Sequence, residues 1–222
     1  VTSAPLRRFA AAVDAACAPA AGGPLLMVSG LGPGPTGVGR MVAGLMQALP
    51  RGTRILYRQR TGTSLRALLA AGRPHAAMAE WLGRRAWRRD WDRWDAEALA
   101  AHPRVLLIHP QTLGIGWTLD LIGRRRDTTL FAADASPFCL RSYNHRQGAP
   151  CLACVGTDGG PAAQHGCLPF PEPDPDAARM AGALRRAAGE GRLRLLTQNP
   201  LQDAVMRRHL GPGAAVVRVG LW

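Results

Sequence analysis

Lysine is absent from this 222-residue chain, and all 28 of its Lys-plus-Arg residues are arginine. The net charge of +13 would by itself suggest a nucleic-acid partner. Nucleic-acid binders gather their charge into a patch, whereas these arginines are dispersed along the chain. With 26 Gly, 18 Pro and much Ala, the arginine usage reads as that of a GC-rich, bacterial genome. Nucleic acid is therefore set aside as a partner. A basic surface still attracts anionic lipids and phosphorylated ligands. Long apolar runs are also lacking: no stretch approaches the roughly 20 residues of a membrane span. The Ala- and Pro-rich start, Val1 to Pro24, is interrupted by Asp14 and has no signal-peptide core. Together with 47% hydrophobic residues, these absences predict a soluble globular protein in the cytoplasm, with peripheral contact at the inner membrane face as its one route to lipid.

What is present is a repeating alternation of strand and helix. The apolar run Pro24–Ser29 is short, β-prone and bounded by Gly and Pro, which predicts a buried first strand. Gly30–Gly39 is a glycine-rich loop, and Arg40–Leu49 has helical periodicity. Strands are expected at Thr53–Gln59, Arg104–His109, Thr128–Ala133, Arg192–Gln198 and Ala214–Gly220. Helices are expected at Ser64–Ala71, Ala76–Ala101, Leu113–Arg126, Asp176–Gly189 and Pro200–Leu210. This order implies an α/β fold: a Rossmann-like open, mostly parallel sheet with helices on both faces. Residues 1–222 read as one such domain, with 134–175 as an irregular Cys-rich insertion. The chain stops at Trp222 directly after a strand-like run, as a domain cut from a longer polypeptide would.

The glycine loop fits neither common nucleotide motif. Gly32 and Gly37 have phosphate-loop spacing, but Val38-Gly39 stands where Lys and Ser or Thr would be needed. A dinucleotide site wants an acidic residue at the end of the second strand, and Tyr57-Arg58-Gln59 occurs there. An oxidoreductase is accordingly a distant reading. Two readings remain: backbone amides that face an anion or sugar hydroxyl, or a tight strand-to-helix turn without a ligand.

Three stretches resemble the N-terminal domain of a GT-B glycosyltransferase of the large retaining, group 4 type. They are Gly34-Pro-Thr-Gly-Val-Gly-Arg40 with its following helix, Val105-Leu-Leu-Ile-His-Pro110, and Leu195–Val205 through Val217-Arg-Val-Gly220. Asp134-Ala-Ser-Pro-Phe-Cys139 with the later Cys-x-x-Cys is a fourth, narrower likeness. The resemblance implies an acceptor-binding half of an enzyme that transfers sugar from a nucleotide-sugar donor to a glycan or lipid-linked acceptor. The donor would be held mainly by a C-terminal domain whose acidic motif has no match in residues 1–222, so this domain alone would not transfer sugar. It also implies substrate-binding roles for Gly37, Gly39 and Arg40 at the cleft, and for His109 and Asp134 at strand ends. Each also has a structural reading: Arg40 as a solvated helix-start residue, His109 as a core histidine, Asp134 as a turn or cap residue. No catalytic residue is assigned.

Four of the five cysteines fall in one segment, as Cys139-x11-Cys151-x2-Cys154-x12-Cys167. The segment has little apolar content to fold around, and a tetrahedral structural zinc would supply folding free energy there. His145 and His165 are available as substitute ligands. Free thiols and a Cys-x-x-Cys redox pair are the alternatives. An iron–sulfur cluster comes after zinc, since no ferredoxin spacing matches. Cys17 stands apart as a bystander.

Trp81, Trp87, Trp91 and Trp94 share an Arg- and Asp-rich helix, and the last three align on one face. That stripe packs on the sheet or lies in a lipid headgroup layer. The competing function from another class is a non-catalytic, zinc-stabilised binding module on the same scaffold.

Overall fold

The structure is a computed structural model that describes residues 3–17, 23–35, 37–57, 65–125, 127–170, 174 and 176–220. Within the long helix, the side chains of residues 84 and 87–96 are outside that description. The expected stripe of Trp87, Trp91 and Trp94 therefore lies outside the described side chains.

Six strands form one all-parallel sheet: β1 (Leu25–Ser29), β2 (Arg54–Tyr57), β3 (Arg104–Ile108), β4 (Thr128–Phe131), β7 (Leu193–Thr197) and β8 (Ala215–Arg218). Their order is β2-β1-β3-β4-β7-β8. A separate two-stranded hairpin, β5 (His145–Arg146) and β6 (Ala149–Pro150), lies between β4 and β7 in sequence. The central strands β1 and β4 are buried along their whole length, while β2 and β8 at the two edges are partly exposed. Parallel strands covered on both faces need near-continuous apolar sequence, which is what Leu25-Leu-Met-Val and Val105-Leu-Leu-Ile provide.

Strand alternation divides the core in two. Leu26, Val28, Val105, Leu107, Leu130, Leu193, Leu195 and Val216 point to one face. There they meet α6 (Ile115–Arg124), α8 (Ala177–Gly189) and α9 (Pro200–Leu210) through Leu121, Ile122, Met180, Leu184 and Met206. Leu25, Met27, Leu106, Ile108, Phe131 and Leu196 point to the other face, against α1 (Ala4–Ala16) and α2 (Gly37–Ala48). The expected α/β sheet with helices on both faces is thus the fold of this chain.

Two local features depart from expectation. Residues 4–16 form α1, although no helix was expected in the Ala- and Pro-rich start. Its signals are present: Ser3 Oγ accepts from the Leu6 N–H, Pro5 occupies the first turn, and Leu6, Phe9, Ala10 and Val13 make a buried stripe. The helix expected at Leu113–Arg126 is two pieces, α5 (Pro110–Leu113) and α6, divided by Gly114 at φ 97°. The helices α3 (Leu65–Ala70) and α4 (Pro74–Ala101) follow β2 as expected. On α4, Met78, Trp81 and Leu82 are exposed, with the Arg85 guanidinium 5.9 Å from the Trp81 ring centre. No helix among the described residues is long and apolar enough to cross a membrane.

Candidate functional site

The strand order reverses beside β1: the chain runs outward from β1 to β2, then returns to place β3 on the other side of β1. The helices that follow β1 and β3 consequently leave to opposite faces, α2 to one and α6 to the other. The carboxyl ends of the strands at such a reversal are where open α/β sheets usually form a ligand crevice.

The glycine loop forms one wall. Gly30 continues the ladder by donating its N–H to the Ile108 carbonyl at 2.9 Å. A Cβ on Gly30 would collide with Thr112 Oγ1 and the His109 carbonyl oxygen, and would stand 2.7 Å from the Leu113 nitrogen. Gly39 is similarly confined, because its Cβ would be 3.0 Å from the Gly34 nitrogen. The Gly34 N–H closes the loop by donating to the Gly39 carbonyl at 3.0 Å. Gly37 has open space around it but a φ of 52°, so its need for glycine is conformational. Arg40 is exposed in the first turn of α2.

His109 forms the other wall. It follows β3 with φ 57° and ψ 67°, a left-handed conformation that is uncommon outside glycine and concentrates at functional positions. The side chain is buried. Its Nδ1 lies 2.8 Å from Thr112 Oγ1, and Nε2 lies 3.7 Å from Asp134 Oδ2. Asp134 comes from the neighbouring β4 exit. Its other oxygen, Oδ1, accepts from the Ser136 N–H at 2.9 Å, so the turn role and the site role fall on different oxygens.

Hydrogen-bond roles follow from these contacts. Thr112 donates its hydroxyl proton to the His109 carbonyl at 3.2 Å. Its oxygen can then only accept from Nδ1–H, and the network assigns the bare nitrogen to Nε2. Burial pushes the His109 pKa below its ordinary value of 6.5, against the opposing pull of Asp134, and keeps the ring neutral at pH 7. Two acceptors, Nε2 and the Asp134 carboxylate, therefore face one another across a gap too long for a hydrogen bond. One hydroxyl carries one proton and satisfies one of them, so two hydroxyl donors are needed to satisfy both.

Three residues without an expected role complete the site. Gln111 donates from Nε2 to Ser142 Oγ at 2.7 Å, while its Oε1 is buried without a partner. Gln198 and Gln202 each donate to the Ala132 carbonyl at 2.8 Å, and Gln198 also donates to the Ala133 carbonyl at 3.0 Å. Together they fix the exit of β4 just before Asp134. The Pro110-Gln-Thr112 run after His109 was the available signal, since a polar run directly after a central strand is a ligand-facing position. Gln198 and Gln202 gave no such signal, because the neighbour that needs them is distant in sequence. Of the expected binding residues, His109 and Asp134 meet. Gly37, Gly39 and Arg40 share no described contact with either.

The cysteine segment begins at this site. Cys139 donates its N–H to the Ala135 carbonyl at 2.9 Å, Ala135 donates to Ser142 at 3.1 Å, and Ser142 donates back to Cys139 at 2.9 Å. All five cysteines are free thiols. Cys17 is buried far away on the α1 face, where burial pushes its pKa up to about 12. Among the described residues, no group of three or more His, Cys, Asp or Glu side chains stands ready-made to hold a metal. His145 is exposed on the hairpin and His165 is half-buried after α7 (Gly160–Gln164).

Comparison of the chain with protein-family models, with curated proteins and with solved structures gives no match.

Proposed function

We propose that this chain is the acceptor-binding domain of a glycosyltransferase, which receives a sugar from a nucleotide-sugar donor onto a glycan or lipid-linked acceptor. The observation that carries this reading is the pair of acceptors, His109 Nε2 and Asp134 Oδ2, 3.7 Å apart at the switch point. A saccharide presents adjacent hydroxyls, and two such donors match two facing acceptors. Neutral His109 can also take a proton from the attacking hydroxyl as the new bond forms, with Asp134 stabilising the imidazolium. The glycine loop supports the reading because it lets backbone approach a ligand without side chains between them. Arg40 adds positive charge at the α2 end, on the side where donor phosphates would enter. Donor recognition is assigned to a C-terminal domain.

Saturation-transfer NMR against a panel of free and lipid-linked saccharides tests the proposal. Saccharide protons should receive saturation from the wild-type chain. The signal should fall at least about fivefold in Asp134→Asn, which replaces half of the acceptor pair. Nucleotide-sugars alone should bind weakly. An absence of saccharide binding, or binding unchanged in Asp134→Asn, would overturn it. Saccharide binding by a gene product that transfers no sugar from any nucleotide donor would instead favour the non-catalytic binding module.

A further inference from the structure

The segment between Cys139 and Cys167 holds four thiols and very little regular structure: two strands of two residues each and the five-residue helix α7. Tyr143 and Leu152 in it are exposed, and Val155 is buried in the sheet's apolar cluster rather than in a core of the segment's own. The other buried residues in it are Ser142, Cys154 and Ala162. Cys154 belongs to the apolar cluster under the sheet, and Cys139 and Cys167 pack against that cluster.

The thiols gather around Ala162, which is itself buried on α7. The Ala162 carbonyl accepts from the Cys167 N–H at 2.9 Å. Ala162 also shares the wall of a small cavity with Cys139. Cys151 lies one turn before Cys154, at the foot of the hairpin, where its N–H donates to the Asn144 carbonyl at 2.6 Å. Burial pushes the Cys139 thiol up, and the thiols of Cys154, Cys167 and Cys151 push it the same way.

We propose that Cys139, Cys151, Cys154 and Cys167 bind one zinc ion in a tetrahedral all-thiolate site that holds the 139–167 segment against the sheet. Four soft ligands without a carboxylate or an open position match structural zinc. Binding requires each thiol to turn about χ1 toward the shared centre and to release its proton. A dication at that centre replaces mutual thiolate repulsion with attraction. Neither substitute imidazole is needed: His145 is exposed on the hairpin and His165 is half-buried after α7. The ion would also fix Ser142, which donates to the Cys139 carbonyl, and Ala135, which accepts from the Cys139 N–H, and so the loop that carries Asp134. That last consequence rests on the acceptor-site reading; the metal assignment does not.

Elemental analysis of the purified, desalted chain should find about one zinc per chain, released when a mercurial titrates the thiols. The cobalt-substituted chain should show the intense visible bands and near-ultraviolet sulfur charge-transfer band of a tetrahedral thiolate site. Cys17→Ala should keep the metal, and Cys154→Ser should lose at least about tenfold in affinity. The wild-type metal content and cobalt spectrum stand even where a variant fails to fold. Metal below about a tenth of an equivalent, with all four thiols reacting freely in the folded chain, would overturn the proposal. So would stoichiometric iron in place of zinc, or a cobalt spectrum without thiolate bands.

Discussion

The two ends of the same sheet are built on opposite principles. At the amino ends of the strands, arginines are spent on backbone carbonyls. Arg104 donates to the carbonyls of Cys17, Gly23 and Asp14 and pairs with the Asp14 carboxylate at 2.7 Å. Arg125 donates to Leu99, His102 and Pro103, and Arg194 to Ala16. At the carboxyl ends, His109 Nε2 faces Asp134 Oδ2 at 3.7 Å and Gln111 Oε1 is buried without a partner, whereas at the amino ends Thr128 Oγ1 is the buried side-chain atom left without one among the described residues. Buried polar groups are normally satisfied, so we assign the ligand to the end with more acceptors left over. Dispersed arginine charge, which looked like a partner signal in the sequence, is at these positions internal structure.

The strongest way to break this contrast is at Gly30, where the carboxyl end has no room. Gly30→Ala drives a methyl into His109 and Leu113 backbone and should cost on the order of 4 kcal/mol or prevent folding, read by urea denaturation. Arg104→Ala attacks the other end. It strands three carbonyls and a carboxylate beneath a side chain only 11% exposed, and should cost about 2–4 kcal/mol while saccharide binding survives. Loss of binding together with native stability in that variant would erase the distinction between the ends.

His109→Asn sharpens the contrast. Asn tolerates the left-handed conformation, so stability should stay within about 1 kcal/mol, while saccharide affinity should fall about tenfold. The smallest effect is electrostatic. Burial lowers the folded pKa of His109, so the unfolded state takes up its proton first as pH falls below 6.5. Its stabilising contribution is full above that pH and is lost as pH falls toward the folded pKa. His209, pushed down to about 4 chiefly by burial, adds a slope of the same sign. The difference between wild type and His109→Asn in stability-versus-pH curves isolates the His109 part. Identical slopes would place that ring in an unperturbed environment.

Much of the scaffold was legible because its signals are local. Each of the six parallel strands follows from an apolar run bounded by turn residues, and Pro200–Leu210 is bounded by an Asn cap and a terminal glycine. Strand-end placement was sufficient to single out His109 and Asp134. Their contact was not legible, since it depends on β3 and β4 being neighbours and on Thr112 setting the ring tautomer. The Gln111–Ser142 link joins residues 31 apart, and no periodicity encodes it. The missed helix α1 is a different failure. Six of its 13 residues are alanine, which composition reads as filler although Leu6, Phe9, Ala10 and Val13 form its buried stripe.

That first helix carries a consequence for the order of events during synthesis. Beside α2, which follows it closely, it is anchored by residues far along the chain: Arg104 for its last carbonyls, Phe131 for an edge-on contact with Phe9 at 6.0 Å, and Arg194 for Ala16, 178 residues away. Its full docking therefore waits for these later residues and meets the loop-closure entropy of the chain between them. Until β7 is in place, its apolar stripe and the sheet face it covers are both open to other chains, which makes this the step most exposed to misassembly.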